Sequence, residues 1–226
     1  MAHMNSRIRA LLTAAATAAV LGAVLPSSTV SAAGVPLQDA IAAMRVEAEV
    51  RDGYDRKREF GDWIDADRDG CNTRAEVLLE EAVDEPTRTG RCTLSGGRWY
   101  SYYDNKYVTL PDDIIDIDHM VPLAEAWDSG ARNWDKAKRV AYANHLDDPV
   151  HLVAVTGRSN RQKADKDPFE WMPYEQARCR YITEWVHIKR AWDLSVDERE
   201  RNVLVDYAAK CPNVPISTTT ADRRTL

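Results

Sequence analysis

Along the chain the apolar residues recur at helical spacing, then at strand spacing, then at helical spacing again. Leu37, Ile41, Met44 and Ala48 fall at helical intervals with Val46 and Val50 beside them, which predicts a charged helix across 35–58. An acidic loop, Asp65–Asn72, separates it from a helical stretch at Glu76–Val83. Trp99–Tyr103 and Tyr107–Leu110 are aromatic and β-branched strings split by Asp104-Asn105-Lys106, the pattern of a β-hairpin. Ile114–His119 reads as a strand stopped by Pro122, which cannot extend a central ladder. Leu123–Leu146 is helical in composition and broken near Ser129-Gly130; Trp127, Trp134, Ala137, Val140 and Ala141 can line one face. His151–Thr156 predicts a second strand, and Gly157–Asn160 a turn into another helix. Tyr174–Ser195 and Val196–Lys210 predict two closing helices, with a polar, frayed tail over 216–226. No repeat or long linker divides the chain. The expectation is one mainly helical α+β domain over 34–215.

The N-terminus does not belong to that domain. Arg7 and Arg9 precede a small-apolar run from Ala10 to Leu25, and Val30-Ser31-Ala32-Ala33 supplies a small-x-small cleavage site. This is the layout of a secretory signal peptide, 1–33, so the mature product is expected outside the cell with no membrane anchor. An oxidising compartment favours disulfides for Cys71, Cys92, Cys179 and Cys211. Of three pairings, the sequence-local Cys71–Cys92 and Cys179–Cys211 are preferred, each closed loop contributing about 3–4 kcal/mol on the chain-entropy model. A four-Cys zinc site lacks any Cys-x-x-Cys spacing.

The 226 residues carry a net charge of −6, and loss of the leader takes two bases and no acid, giving −8. That balance excludes a protein holding nucleic acid by a broad basic surface. A local patch of Arg158, Arg161, Lys163 and Lys166 remains.

Asp118-His119-Met120-Val121-Pro122 ends the first central strand, and His151–Thr156 leads into Ser159-Asn160-Arg161-Gln162-Lys163. With Asp167-Pro168 and Trp171 following, the joint pattern over 112–173 resembles the HNH family of ββα-metal nucleases, particularly its secreted actinobacterial type. The resemblance implies a ββα-metal core in which Asp118 and Asn160 hold a divalent cation and His119 is the general base. The residue chemistry agrees with it. Imidazole accepts a proton near neutral pH, and a carboxylate with an amide oxygen suits Mg²⁺ or Mn²⁺. His151 stands where the family commonly has Asn and is read as an orienting residue. Lys163, three residues after Asn160, is read with Asn160 as catalytic, and Arg158, Arg161 and Lys163 as contacts to substrate phosphate.

Asp65, Asp67, Asp69, Cys71, Thr73 and Glu76 fit the spacing of a Ca²⁺ loop, with Gly70 at its sharp turn. The other reading is an acidic turn tied by Cys71 and capped by its own side chains. The expected function is a monomeric, extracellular, metal-dependent endonuclease of low sequence specificity acting on DNA, with RNA left open. The alternative is an exported calcium-binding or interaction protein whose ββα motif is inactive.

Overall fold

The computed structural model describes residues 34–216. The expected signal peptide and the tail beyond Ile216 lie outside the described residues. Pro36 fixes the entry to helix α1 (Leu37–Ala42), which buries Leu37, Ala40 and Ile41. The helix stops far short of the expected residue 58. Val46 leaves it to form a parallel bridge with Val196, and the chain runs irregularly to α2 (Arg56–Phe60), whose start Asp55 caps through the Arg58 N–H. Ile216, expected in the tail, pairs with Val35 as strands β1 (Val35–Pro36) and β8 (Pro215–Ile216) and is buried.

Asn72 caps α3 (Thr73–Glu80), and two hairpins follow, β2–β3 (Thr87–Thr89, Thr93–Ser95) and β4–β5 (Arg98–Ser101, Lys106–Thr109). The second turns at Asn105, whose φ of 53° is a conformation Asn tolerates. The central ribbon pairs β6 (Ile115–His119) with β7 (Leu152–Thr156) antiparallel, Asp118 opposite Val153 and His119 opposite Leu152. Between them lie α4 (Leu123–Asp128), a break at Gly130 with φ 125°, and α5 (Lys136–Ala143). Strand β7 passes directly into α6 (Gly157–Lys163), so the expected turn at 157–160 is already helix, capped by Thr156. Helices α7 (Arg178–Ala191) and α8 (Glu198–Ala208) complete the order.

The architecture is mixed α and β and not mainly helical: among the described residues four antiparallel ribbons accompany helices that are mostly short. Side-chain alternation along the central ribbon explains its position. Ile115 and Ile117 join Leu152, Ala154 and Trp99 in one apolar cluster, while Val153 and Val155 enter the larger cluster built on Tyr142, Tyr181 and Trp185. Asp116 and Asp118 occupy the β6 face opposite Ile115 and Ile117. The Cys71–Cys92 and Cys179–Cys211 disulfides are both formed. Among the described residues no helix is long and apolar enough to cross a membrane.

Candidate active site

Adjacent residues on a strand point to opposite faces, yet Asp118 and His119 line the same cleft because β6 ends there and the chain turns at Pro122. The cleft encloses about 470 Å³ and is also lined by Asn160 and Arg161 from α6, by Tyr54 just before α2 and by Arg56 at the start of α2. A smaller cavity of about 160 Å³ adjoins it across His119, Arg56 and Leu123, with Trp63 and Asp62 on its wall.

His119 is held by the end of α5. The last carbonyls of a helix lack intrahelical donors, and here two histidines supply them: His119 Nε2 lies 2.9 Å from the Ala143 oxygen and His151 Nε2 lies 2.7 Å from the Tyr142 oxygen. A carbonyl only accepts, so Nε2 of His119 carries the proton and Nδ1 is left as the basic nitrogen. Burial pushes the His119 pKa down to about 3, against the opposing pull of the Ala143 carbonyl, so the ring is neutral at neutral pH. Trp63 stacks on it, centroids 5.1 Å apart and planes within 4°. Asn144 keeps Trp63 in place: its Oδ1 accepts from the Ile64 N–H and its Nδ2 donates to the Asp62 carbonyl.

Asp118 is buried and accepts two hydrogen bonds on Oδ2, from Tyr103 Oη and Lys163 Nζ, each at 2.7 Å. Both bonds fall on one oxygen, which leaves Oδ1 for the cleft. Burial raises its pKa while Lys163 and Tyr103 oppose that rise. Asn160 donates from Nδ2 to Asp116 Oδ2 at 3.2 Å, which directs its amide oxygen away from that carboxylate.

Three sequence expectations change. Lys163 is fully buried, its Nζ bound to Asp118 and to the His119 carbonyl at 2.9 Å. It cannot reach a phosphate or a reacting atom and acts as a brace beneath the strand end. Arg158 is exposed but does not line the cleft, whereas Arg161 does, 3.7 Å from Asp116. In the acidic loop the Asp65, Asp67 and Asp69 carboxylates come within 4.8 Å of one another. Asp65 and Asp69 accept from the Gly70 and Cys71 N–H groups, and burial together with these neighbours raises the Glu76 pKa. Thr73 is turned away from them, its hydroxyl donating to Asn144 Oδ1 at 2.8 Å and lying 3.1 Å from the Ile64 carbonyl, so its side chain is no ligand there. The Cys71 sulfur is committed to Cys92.

His151 is wholly buried behind the cleft, and its carbonyl accepts from the Met120 N–H at 2.9 Å, fixing the turn after His119. Tyr103, Trp63, Arg56 and the Ala143 carbonyl were not found from the sequence. The aromatic string flagged Tyr103 only as strand, and a backbone carbonyl leaves no residue signature.

Residues 72–207 match the model of the GmrSD restriction endonucleases, C-terminal domain, a span that includes Asp118, His119 and Asn160. The chain belongs to this family. The relationship is to nucleases, with nucleic acid as the substrate class. The chain is also 38% identical over 162 residues to an uncharacterized secreted protein of Arthroderma benhamiae, covering 71% of this chain and 77% of the relative. No solved structure matches. Tyr54, Arg56 and Trp63 precede the matched span, so one wall of the cleft is built by residues outside it.

Proposed function

We propose that the protein is a secreted, metal-dependent endonuclease of the ββα-metal type that hydrolyses phosphodiester bonds in DNA, with His119 as general base. The observation that carries this reading is the convergence of Asp118, His119 and Asn160 on one cleft, with the His119 ring anchored through Nε2 on a backbone carbonyl.

The anchored ring presents Nδ1 to a water in the cleft and takes its proton as the water attacks phosphorus. A phosphate diester beside the ring favours the imidazolium that burial otherwise opposes. Asp118 Oδ1 and the Asn160 amide oxygen are hard donors bordering the same space, a set that fits Mg²⁺ or Mn²⁺ retaining several waters. When bound, such an ion supplies charge neutralisation at the phosphoryl group and its leaving oxygen. Tyr103 and Lys163 orient Asp118, and Asp116 orients Asn160. Arg161 contacts phosphate at the rim. The two disulfides and the secreted relative support an extracellular location.

Purified protein is to be incubated with supercoiled plasmid, single-stranded DNA and RNA in Mg²⁺, Mn²⁺, Ca²⁺ or EDTA. Nicking and linearisation of plasmid in Mg²⁺ or Mn²⁺, abolished by EDTA, is the expected result. A rise in thermal stability with Ca²⁺ and no cleavage in any metal would instead establish the calcium-binding alternative.

A further inference from the structure

We propose that Arg56 is a substrate-binding residue of the cleft, holding a phosphate of the nucleic acid beside His119. The inference rests on the reading of the cleft as a nucleic-acid site and extends it to a residue outside the family-matched span.

Arg56 opens α2 and lines both cavities that meet at His119. The other charged residues of these walls have partners. Asp165 is bound by Arg51 at 2.6 Å, Asp118 by Lys163 at 2.7 Å, Arg161 lies 3.7 Å from Asp116, and Asp62 lies 3.9 Å from Lys57. Among the described residues no hydrogen bond or ion pair holds the exposed Arg56 guanidinium. The walls that meet at His119 therefore carry one positive charge without a carboxylate partner among the described residues. Trp63, stacked on His119, lines the smaller cavity together with Arg56 and offers a flat apolar surface suited to a sugar or a base. A phosphodiester is an anion with two free oxygens in a plane, the acceptor a guanidinium fork matches. An unpaired Arg facing solvent alone carries no such meaning. Here the guanidinium borders the space beside the proposed base, where a phosphate must sit for attack.

The test measures binding apart from cleavage. Fluorescence anisotropy of a short labelled DNA duplex is followed over a NaCl series for the His119→Ala protein, with and without Arg56→Ala or Arg56→Lys, and kcat and KM are measured for the single Arg56 variants. Arg56→Ala is expected to weaken binding about 10- to 100-fold and to reduce the magnitude of the negative slope of log K against log[NaCl] by about one. Arg56→Lys should keep the slope, and thermal stability should be unchanged in both. Affinity and slope unaltered by Arg56→Ala would overturn the inference even if the wild type cleaves DNA. Arg56-dependent binding without wild-type cleavage would uphold it while the nuclease reading failed.

Discussion

Lys163 illustrates how a charged side chain changes role when it is buried. It has no exposed surface, and its ammonium is satisfied by the Asp118 carboxylate and the His119 carbonyl. Burial lowers its pKa while Asp118 opposes that shift, so the pair is held together by mutual need in a poorly solvated place. Lys163→Met is expected to destabilise the protein by about 3–5 kcal/mol, because the partner charge stays buried. Chemical denaturation measures that loss, and the cleavage rate should fall with it as Asp118 loses its fixed orientation. From sequence, Lys163 read as a phosphate contact because lysine is almost never buried unless paired, and the pairing partner lies 45 residues away in the chain. Asp118, His119 and Asn160 were legible for the opposite reason: two are neighbours, and the third lies on the short helix that directly follows the paired strand. Arg56 and Trp63 reach the cleft only through tertiary packing, which no local period encodes.

At the scale of elements, the site depends on how closely α6 follows β7. The Gly157 N–H bonds to the Ile114 carbonyl at 2.8 Å, and a Cβ at Gly157 would lie 2.6 Å from Ile114 Cγ2 and 2.9 Å from Arg161 Nη1. Gly157→Ala is therefore expected to cost about 1–3 kcal/mol and to displace the helix carrying Asn160 and Arg161. Thermal melts and cleavage kinetics should both register it, and a fully active, fully stable variant would refute this packing account. The strands and the hairpin were readable from their β-branched and aromatic runs. The first helix was not: its helical period continued past Ala43, but Val46 is taken by the bridge to Val196, a long-range pairing that overrides the local pattern. α5 shows the reverse dependence, since its last carbonyls position His119 and His151 although nothing in its own sequence names them.

Over the whole molecule, the negative charge is gathered in places and not spread evenly. One such place joins Glu49, Glu125, Asp128, Asp167 and Asp197 from separate parts of the fold. Burial, with the neighbouring carboxylates behind it, raises the Glu49 pKa from 4.5 to about 7, and burial likewise raises Asp167 to about 6. A carboxyl whose folded pKa lies above its unfolded one stabilises the fold when protonated. That contribution is complete below about pH 4.5 for Glu49 and is lost as pH rises through about 7. Glu49→Gln should thus melt with the wild type near about pH 5 and above it near about pH 8, a difference read by differential scanning calorimetry. Because the acids are gathered in clusters, the net charge alone does not bar a nucleic-acid substrate, and the proposed phosphate contacts fall on Arg56 and Arg161.

The rate of plasmid nicking in Mg²⁺ by wild type and His119→Ala decides whether the cleft hydrolyses phosphodiesters with His119 as the base. A fall of about 10²–10⁴-fold in a variant that keeps its circular dichroism spectrum is expected. A His119→Ala protein nicking within about tenfold of the wild-type rate would rule out His119 as the base.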